Sequence, residues 1–245
     1  MNKLCFRLKQ FIIVTVLFVS SFYAAIVNGG DIDTYIPVGA YKYAPLLKRE
    51  QLFLWPDHPK PELLAALVEQ ESCVALRIEK KCWSPTIQLK TKREFAVGFS
   101  QITKAFNPDG SIRFDSLEGM RKAHMAELKE LSWGNIAQRP DLQFRILVLM
   151  NRDNYNRLYD VPNQEARLAF TDAAYNGGLG GVFKEMRLCG LTKGCNPQLW
   201  FDNVEKTCGK SKKPLYGKRS ACDINREHVT LVMLERSPKY QELMK

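Results

Sequence analysis

The chain predicts a mainly α-helical fold, a single domain tied by disulfides, and three observations carry that prediction. Apolar residues recur at helical spacing in a series of segments from Pro61 onward, whereas strand signals are few. No internal repeat or low-complexity tract divides a body long enough to close over one core. Six of the seven cysteines fall in the body and pair off along the chain.

The N-terminus comes first. Lys3, Arg7 and Lys9 precede an apolar run from Phe11 to Val27, and Asn28-Gly29-Gly30 breaks the pattern, the layout of an export signal. Residues 1–28 therefore read as a signal peptide or a retained signal-anchor: Val27-Asn28-Gly29 is the best small-residue cleavage candidate, and the run is nearly long enough to span a bilayer. Basic residues ahead of the run favour an N-terminus inside and a body outside the cytoplasm, periplasmic or anchored to the inner membrane. Cys5 lies in the basic head. The remaining six suggest a disulfide framework, and their neighbouring positions favour Cys73 with Cys82, Cys189 with Cys195, and Cys208 with Cys222. Zinc is not expected, because there is no Cys-x-x-Cys and His58, His124 and His228 stand apart in sequence. Lys3, Arg7 and Lys9 supply three of the formal charge of +10, which leaves the body at +7 and suited to anionic surfaces such as cell-wall polymer or membrane lipid rather than nucleic acid.

Along the body, residues 29–59 carry several prolines and tyrosines and no strong period, and they read as an irregular lead-in to a domain over 60–245. Pro61 opens the first helix, through Ser72, and residues 73–93 read as a loop. Asp115-Ser116-Leu117-Glu118 is a capping-box pattern, followed at helical spacing by Leu117, Met120, His124, Leu128 and Leu131, with His124 as a packed core histidine. Pro140 opens a long apolar helix toward Leu158 with the character of a buried central element. Pro162-Asn163 starts another, which stops at Gly177-Gly178. Further helices are expected over 179–188 and 225–236, with a C-terminal extension after about 190. The basic cluster in residues 206–219 reads as a solvated loop.

One acid stands out. Leu64, Leu67, Val68 and Glu71 share a stripe of the first helix, so Glu71 points where the leucines point, whereas Glu62 and Glu69 fall off the stripe and read as solvated acids. Burial disfavours the charged form of a carboxyl, and an acid that keeps its proton near neutral pH is what glycoside cleavage requires. The plainer alternative is a helix-end glutamate paired with an arginine.

Three separated pieces, Glu71-Ser72, Gly98-Phe99-Ser100-Gln101-Ile102 and Ala173-Ala174-Tyr175-Asn176-Gly177-Gly178, resemble in order and spacing the soluble lytic transglycosylase family with its goose-type lysozyme-like fold. The resemblance spans roughly residues 61–181. It implies that Glu71 is the catalytic acid and base and that Gln101 and Tyr175 line the cleft, with Asn176 holding the tyrosine turn. Phe99-Ser100 replaces the family's usual Leu-Met, which places Ser100 on the cleft floor. By the same resemblance Ser84, before Pro85, takes the place of a serine near the substrate N-acetyl group. Glu94 reads as a second acid at the cleft or as a salt-bridge partner of Arg93 or a nearby lysine.

The resemblance implies cleavage of peptidoglycan at the β-1,4 bond between N-acetylmuramic acid and N-acetylglucosamine by a monomeric enzyme without cofactor or metal. A 1,6-anhydromuramyl end would form, as in bacterial wall remodelling, secretion or conjugation systems, or a phage endolysin. Two alternatives stand beside it: a hydrolytic muramidase on the same fold with Glu94 as helper, and an inactive wall-binding module.

Overall fold

The computed structural model describes residues 34–73 and 82–245. The export segment with Cys5, and most of the loop between Cys73 and Cys82, lie outside the described residues. The described chain is mainly helical with a small antiparallel sheet. Among the described residues no helix is long and apolar enough to cross a membrane.

The expected irregular lead-in is largely a helix. Helix α1 (Val38–Leu54) buries Ala40, Ala44, Leu47 and Leu54, a stripe at helical spacing. Its core face is half alanine and it contains Pro45, so neither hydrophobicity nor propensity marks it in the sequence. Glu50 on α1 is buried and meets Arg145 at 2.8 Å.

Helix α2 (Glu62–Ser72) has the expected bounds and buries its Leu64, Leu67 and Val68 stripe. It ends where Ser72 turns its hydroxyl back onto the Val68 carbonyl at 2.6 Å. Glu69 corrects the expectation of a solvated acid: it is fully buried, bound by Lys239 at 2.8 Å and Arg236 at 3.3 Å, and it accepts the Tyr240 hydroxyl. Burial, with the Glu69 charge beside it, keeps that phenol protonated.

The next stretch departs most from expectation. Strands β1 (Gln88–Lys90), β2 (Glu94–Val97), β3 (Ile102–Phe106) and β4 (Ile112–Asp115) form an antiparallel meander in that order. These strands are three to five residues long, and β1 is exposed at every position, so no alternation betrays them. Val97 pairs with Ile102 across the turn that holds Gly98 to Gln101.

Asp115 caps helix α3 (Ser116–Ala123) by accepting the Glu118 amide at 3.0 Å. The single helix expected there breaks at His124, and α4 (Met125–Leu128) follows. Helix α5 (Pro140–Arg157) is the buried central element, with Phe144, Ile146, Leu147, Val148 and Leu149 inaccessible. Helix α6 (Gln164–Gly177), capped by Asn163, packs on α5, and α7 (Leu179–Gly190) packs on α6.

The C-terminal region closes the molecule. A hairpin of β5 (Pro214–Tyr216) and β6 (Arg219–Ser220) leads into α8 (Ala221–Thr230), which continues through a wider turn (Leu231–Arg236) and a tight one (Ser237–Tyr240) to α9 (Gln241–Met244). The last helix starts earlier than expected because Ser220 and Asp223 form a reciprocal capping box. Cys73–Cys82, Cys189–Cys195 and Cys208–Cys222 are disulfides, the pairing favoured by their neighbouring positions. An aromatic cluster sits at the meeting point of these elements. Phe99 stacks on Phe144 with ring centroids 4.4 Å apart, and Trp83 donates its indole N–H to the Tyr240 hydroxyl at 3.1 Å.

Removing one partner from a buried ion cluster leaves the other charges stranded, at a cost of about 3–5 kcal/mol. Glu69→Ala is therefore expected to lower stability by about that amount, read from the urea unfolding midpoint.

Candidate active site

Glu71 lies in the last turn of α2 at the floor of an open cleft of about 1080 Å³. The cleft is walled by the sheet, by α3, by the C-terminal end of α5, by the end of α6, and by Tyr216 of the β5–β6 hairpin. Of the residues singled out in the sequence, Glu71, Glu94, Ser100, Gln101, Tyr175 and Asn176 all line it. Ser84 does not: its hydroxyl is taken up with Thr86 at 3.1 Å, outside the cleft lining.

The Gly98 to Ile102 tract forms the turn that carries the cleft floor. Gly98 has φ +78° and Gln101 φ +40°, both in the left-handed region, and the pair reverses the chain from β2 to β3. Gln101 holds its strained position by donating its side-chain amide to the Gly98 carbonyl at 2.9 Å. Phe99 goes into the core, and Ser100 faces the cleft. A fully buried glutamine of α5 clamps the turn from behind. Gln143 accepts the Phe99 amide at 2.8 Å and donates to the carbonyls of Ile136 at 2.6 Å and Pro85 at 2.9 Å. A β-carbon on Gly98 would run into this amide.

Tyr175 ties the same turn to α6 by donating its hydroxyl to the Ser100 carbonyl at 2.6 Å. Burial raises its pKa well above that of an ordinary phenol, and the charges of Glu71 and Asp172 add to this, so it remains a donor. Asn176 accepts from Asn225 of α8 at 3.0 Å, which ties the end of α6 to α8. Across the cleft, Glu94 is half-buried and accepts the Tyr216 hydroxyl. The Ser100 hydroxyl is buried with no hydrogen-bond partner among the described residues.

The residue that sequence reasoning set aside lies behind Glu71. His228 on α8 places Nε2 2.7 Å from Glu71 Oε1 and Nδ1 2.8 Å from Asp172 Oδ2, with only 3 % of its side chain exposed. Among the described residues, the partner of Glu71 is thus an imidazole. Burial by itself would lower the imidazole pKa, but the charges and hydrogen bonds of Asp172 and Glu71 outweigh it and raise the value to about 10. A ring protonated in this way donates from both nitrogens, to Glu71 and to Asp172. Burial raises the Asp172 carboxyl above the usual range, while His228 pulls it back. A signal for both groups was present in the sequence, since Asp172 interrupts the apolar face of Ala169, Phe170, Ala173 and Ala174, and His228 precedes an apolar run from Val229 to Leu234.

The other two histidines serve elsewhere. His124, expected in the core, sits at the break between α3 and α4, partly exposed, with Nε2 2.6 Å from Asp153 Oδ2. His58 is buried beside Trp55 and accepts the Lys60 amide, and burial lowers its pKa to about 3, so it stays neutral. Lys210 also corrects its expectation. It leaves the otherwise exposed basic segment to pair with buried Glu185 at 3.2 Å. Among the described residues no cluster of histidine, cysteine or acidic side chains is arranged to hold a metal ion.

Comparison with protein-family models, with curated proteins and with solved structures finds no match. The site stands on its own geometry.

Gln143→Ala is expected to strand the buried Phe99 amide and the Ile136 carbonyl. A loss of about 1–3 kcal/mol in stability follows for each unsatisfied group, and calorimetry on the variant checks it.

Proposed function

We propose that the protein is an exported, peptidoglycan-cleaving lytic transglycosylase with a goose-type lysozyme-like fold. One observation carries the reading. Glu71 lies at the floor of an open cleft with one carboxylate oxygen held by His228, and the three sequence pieces that resemble the family converge on that same cleft. Two further features support it. The three disulfides fit an oxidising compartment. The basic body suits an anionic wall polymer.

In this reading a monomer acts on peptidoglycan without a cofactor. Glu71 protonates the glycosidic oxygen as the bond from the muramyl C1 breaks. The muramyl 6-hydroxyl then attacks C1 and gives its proton to the Glu71 carboxylate, which closes the 1,6-anhydro ring and restores the acid. A single carboxyl group serves both steps. A hydrolytic muramidase is the second reading, favoured by Glu94 on the opposite cleft wall. That carboxylate is already engaged by Tyr216 and half open to solvent, which suits a substrate contact better than the activation of a water. An inactive wall-binding module would have no use for an acid with a buried imidazolium behind it.

Glu71→Gln is expected to abolish solubilisation of purified peptidoglycan while leaving the melting temperature within a few degrees. Mass analysis of the released muropeptides is expected to show anhydro ends, one water lighter than hydrolytic ends, and reducing ends alone would establish the muramidase instead.

A further inference from the structure

The family-like tracts contain neither Asp172 nor His228, yet the two carry the deepest charges of the cleft. Asp172 has 6 % of its side chain exposed and His228 has 3 %. Such groups are costly unless each is bonded to another, and here the bonds run in one line, Asp172 to His228 to Glu71. We propose that His228, held as an imidazolium by Asp172, is the positioning residue of Glu71. It occupies Oε1, leaves Oε2 as the oxygen that exchanges the proton with substrate, and stabilises the carboxylate formed when that proton leaves. The inference rests on Glu71 being the acid of the proposed reaction.

The surroundings support this assignment from every side. Helix α2 presents Glu71 to the ring, and α6 presents Asp172 and the protonated Tyr175. Beyond Asp172, a small cavity is lined also by His58, whose imidazole is neutral, and by the uncharged Asn151 and Thr171. The nearby cations of the C-terminal region are already committed: Arg226 and Lys210 to Glu185, Arg219 to Glu227, and Arg236 and Lys239 to Glu69. Among the described residues His228 is therefore the cationic partner of Glu71. With Asp172 charged and His228 protonated, the three groups are neutral when Glu71 carries one proton and hold a single negative charge when it has been given away.

A neutral imidazole would reverse the arrangement. Its Nε2 lone pair would draw the Glu71 proton onto Oε1, away from the cleft. Activity should therefore fall as His228 loses its proton, and Asp172 should set the pH at which that happens.

The test is Asp172→Asn, with the pH profile of wall lysis and the proton NMR signals of the three histidines followed together. Removing the carboxylate should bring the protonation midpoint of His228 down from about 10 by about one to three units, and the alkaline limb of the lysis profile should move down with it. His228→Lys should shift the profile less than His228→Gln does, because a lysine ammonium restores the cation. A merely structural role would lower the activity of Asp172→Asn at every pH without moving the limb, and that result overturns the proposal. Where Asp172→Asn does not fold, the wild-type protein decides: a doubly protonated His228 ring at pH 7 supports the assignment, and a neutral ring overturns it. If Glu71→Gln still cleaves peptidoglycan, the functional reading and this inference fail together. If Glu71→Gln is inactive and the Asp172→Asn limb is unmoved, the positioning role alone fails.

Discussion

The contact of His228 with Glu71 and Asp172 joins three helices that are far apart in sequence, and the cleft depends on it. The ring comes from α8, its partners from α2 and α6, and neither partner is within fifty residues of it. Each of the three groups would be expensive to bury alone, and each is made tolerable by the next. The same device recurs around the molecule. Glu50 of α1 is bound by Arg145 of α5, Glu69 of α2 by Arg236 and Lys239 after α8, and Glu185 of α7 by Lys210 and Arg226. Every one of these acids is nearly or fully inaccessible, and the cations come from another segment. Apolar packing alone tolerates small slips between helices. A buried charge that must meet its partner within about 3 Å does not, so these pairs set the register in which the helices dock.

The region after residue 190, where the resemblance to the family has ended, contributes Tyr216 to the cleft lining and braces the cleft from behind. Tyr216 crosses to Glu94, His228 backs Glu71, and Asn225 holds the end of α6 through Asn176. The Cys208–Cys222 disulfide ties the two ends of the hairpin segment that delivers Tyr216. Lys210, beside that disulfide, lies over the Asn-Gly-Gly turn, and a β-carbon on Gly177 would come within 2.6 Å of its Cε. Glycine at this place leaves room for the lysine stem on its way to Glu185, so the turn and the C-terminal extension pack as one unit.

The helices with strong apolar stripes and recognisable ends were legible in the sequence. Pro140, Asn163 and Gly177-Gly178 mark α5 and α6 to within a residue or two, and the disulfides followed from the spacing of the cysteines. Helix α1 was not legible because alanine marks a buried face weakly and Pro45 argues against a helix. The sheet was missed because its strands are short, the outer two are largely exposed, and the inner two bury only two residues each, too few for an alternation to show. Within the site, Glu71, Gln101, Tyr175 and Asn176 were found through motif order, which is a local signal. Glu69 was misjudged, and His228 was set aside as isolated. Their partners, Arg236, Lys239, Asp172 and Glu71 itself, are set by the fold and invisible to any local window.

The arrangement bears on why one carboxyl group can serve two opposite steps in the proposed reaction. A general acid must surrender its proton readily, and a general base must recover one, so the two states of Glu71 need to be close in free energy. An apolar pocket would favour only the protonated state. A fully paired carboxylate would favour only the charged one. Glu71 is partly open to the cleft on one side and faces a single imidazole on the other, which is also bonded to Asp172. In the proposed reaction that ring holds one carboxyl oxygen in either state, and Asp172, buried behind it, fixes the ring for both steps.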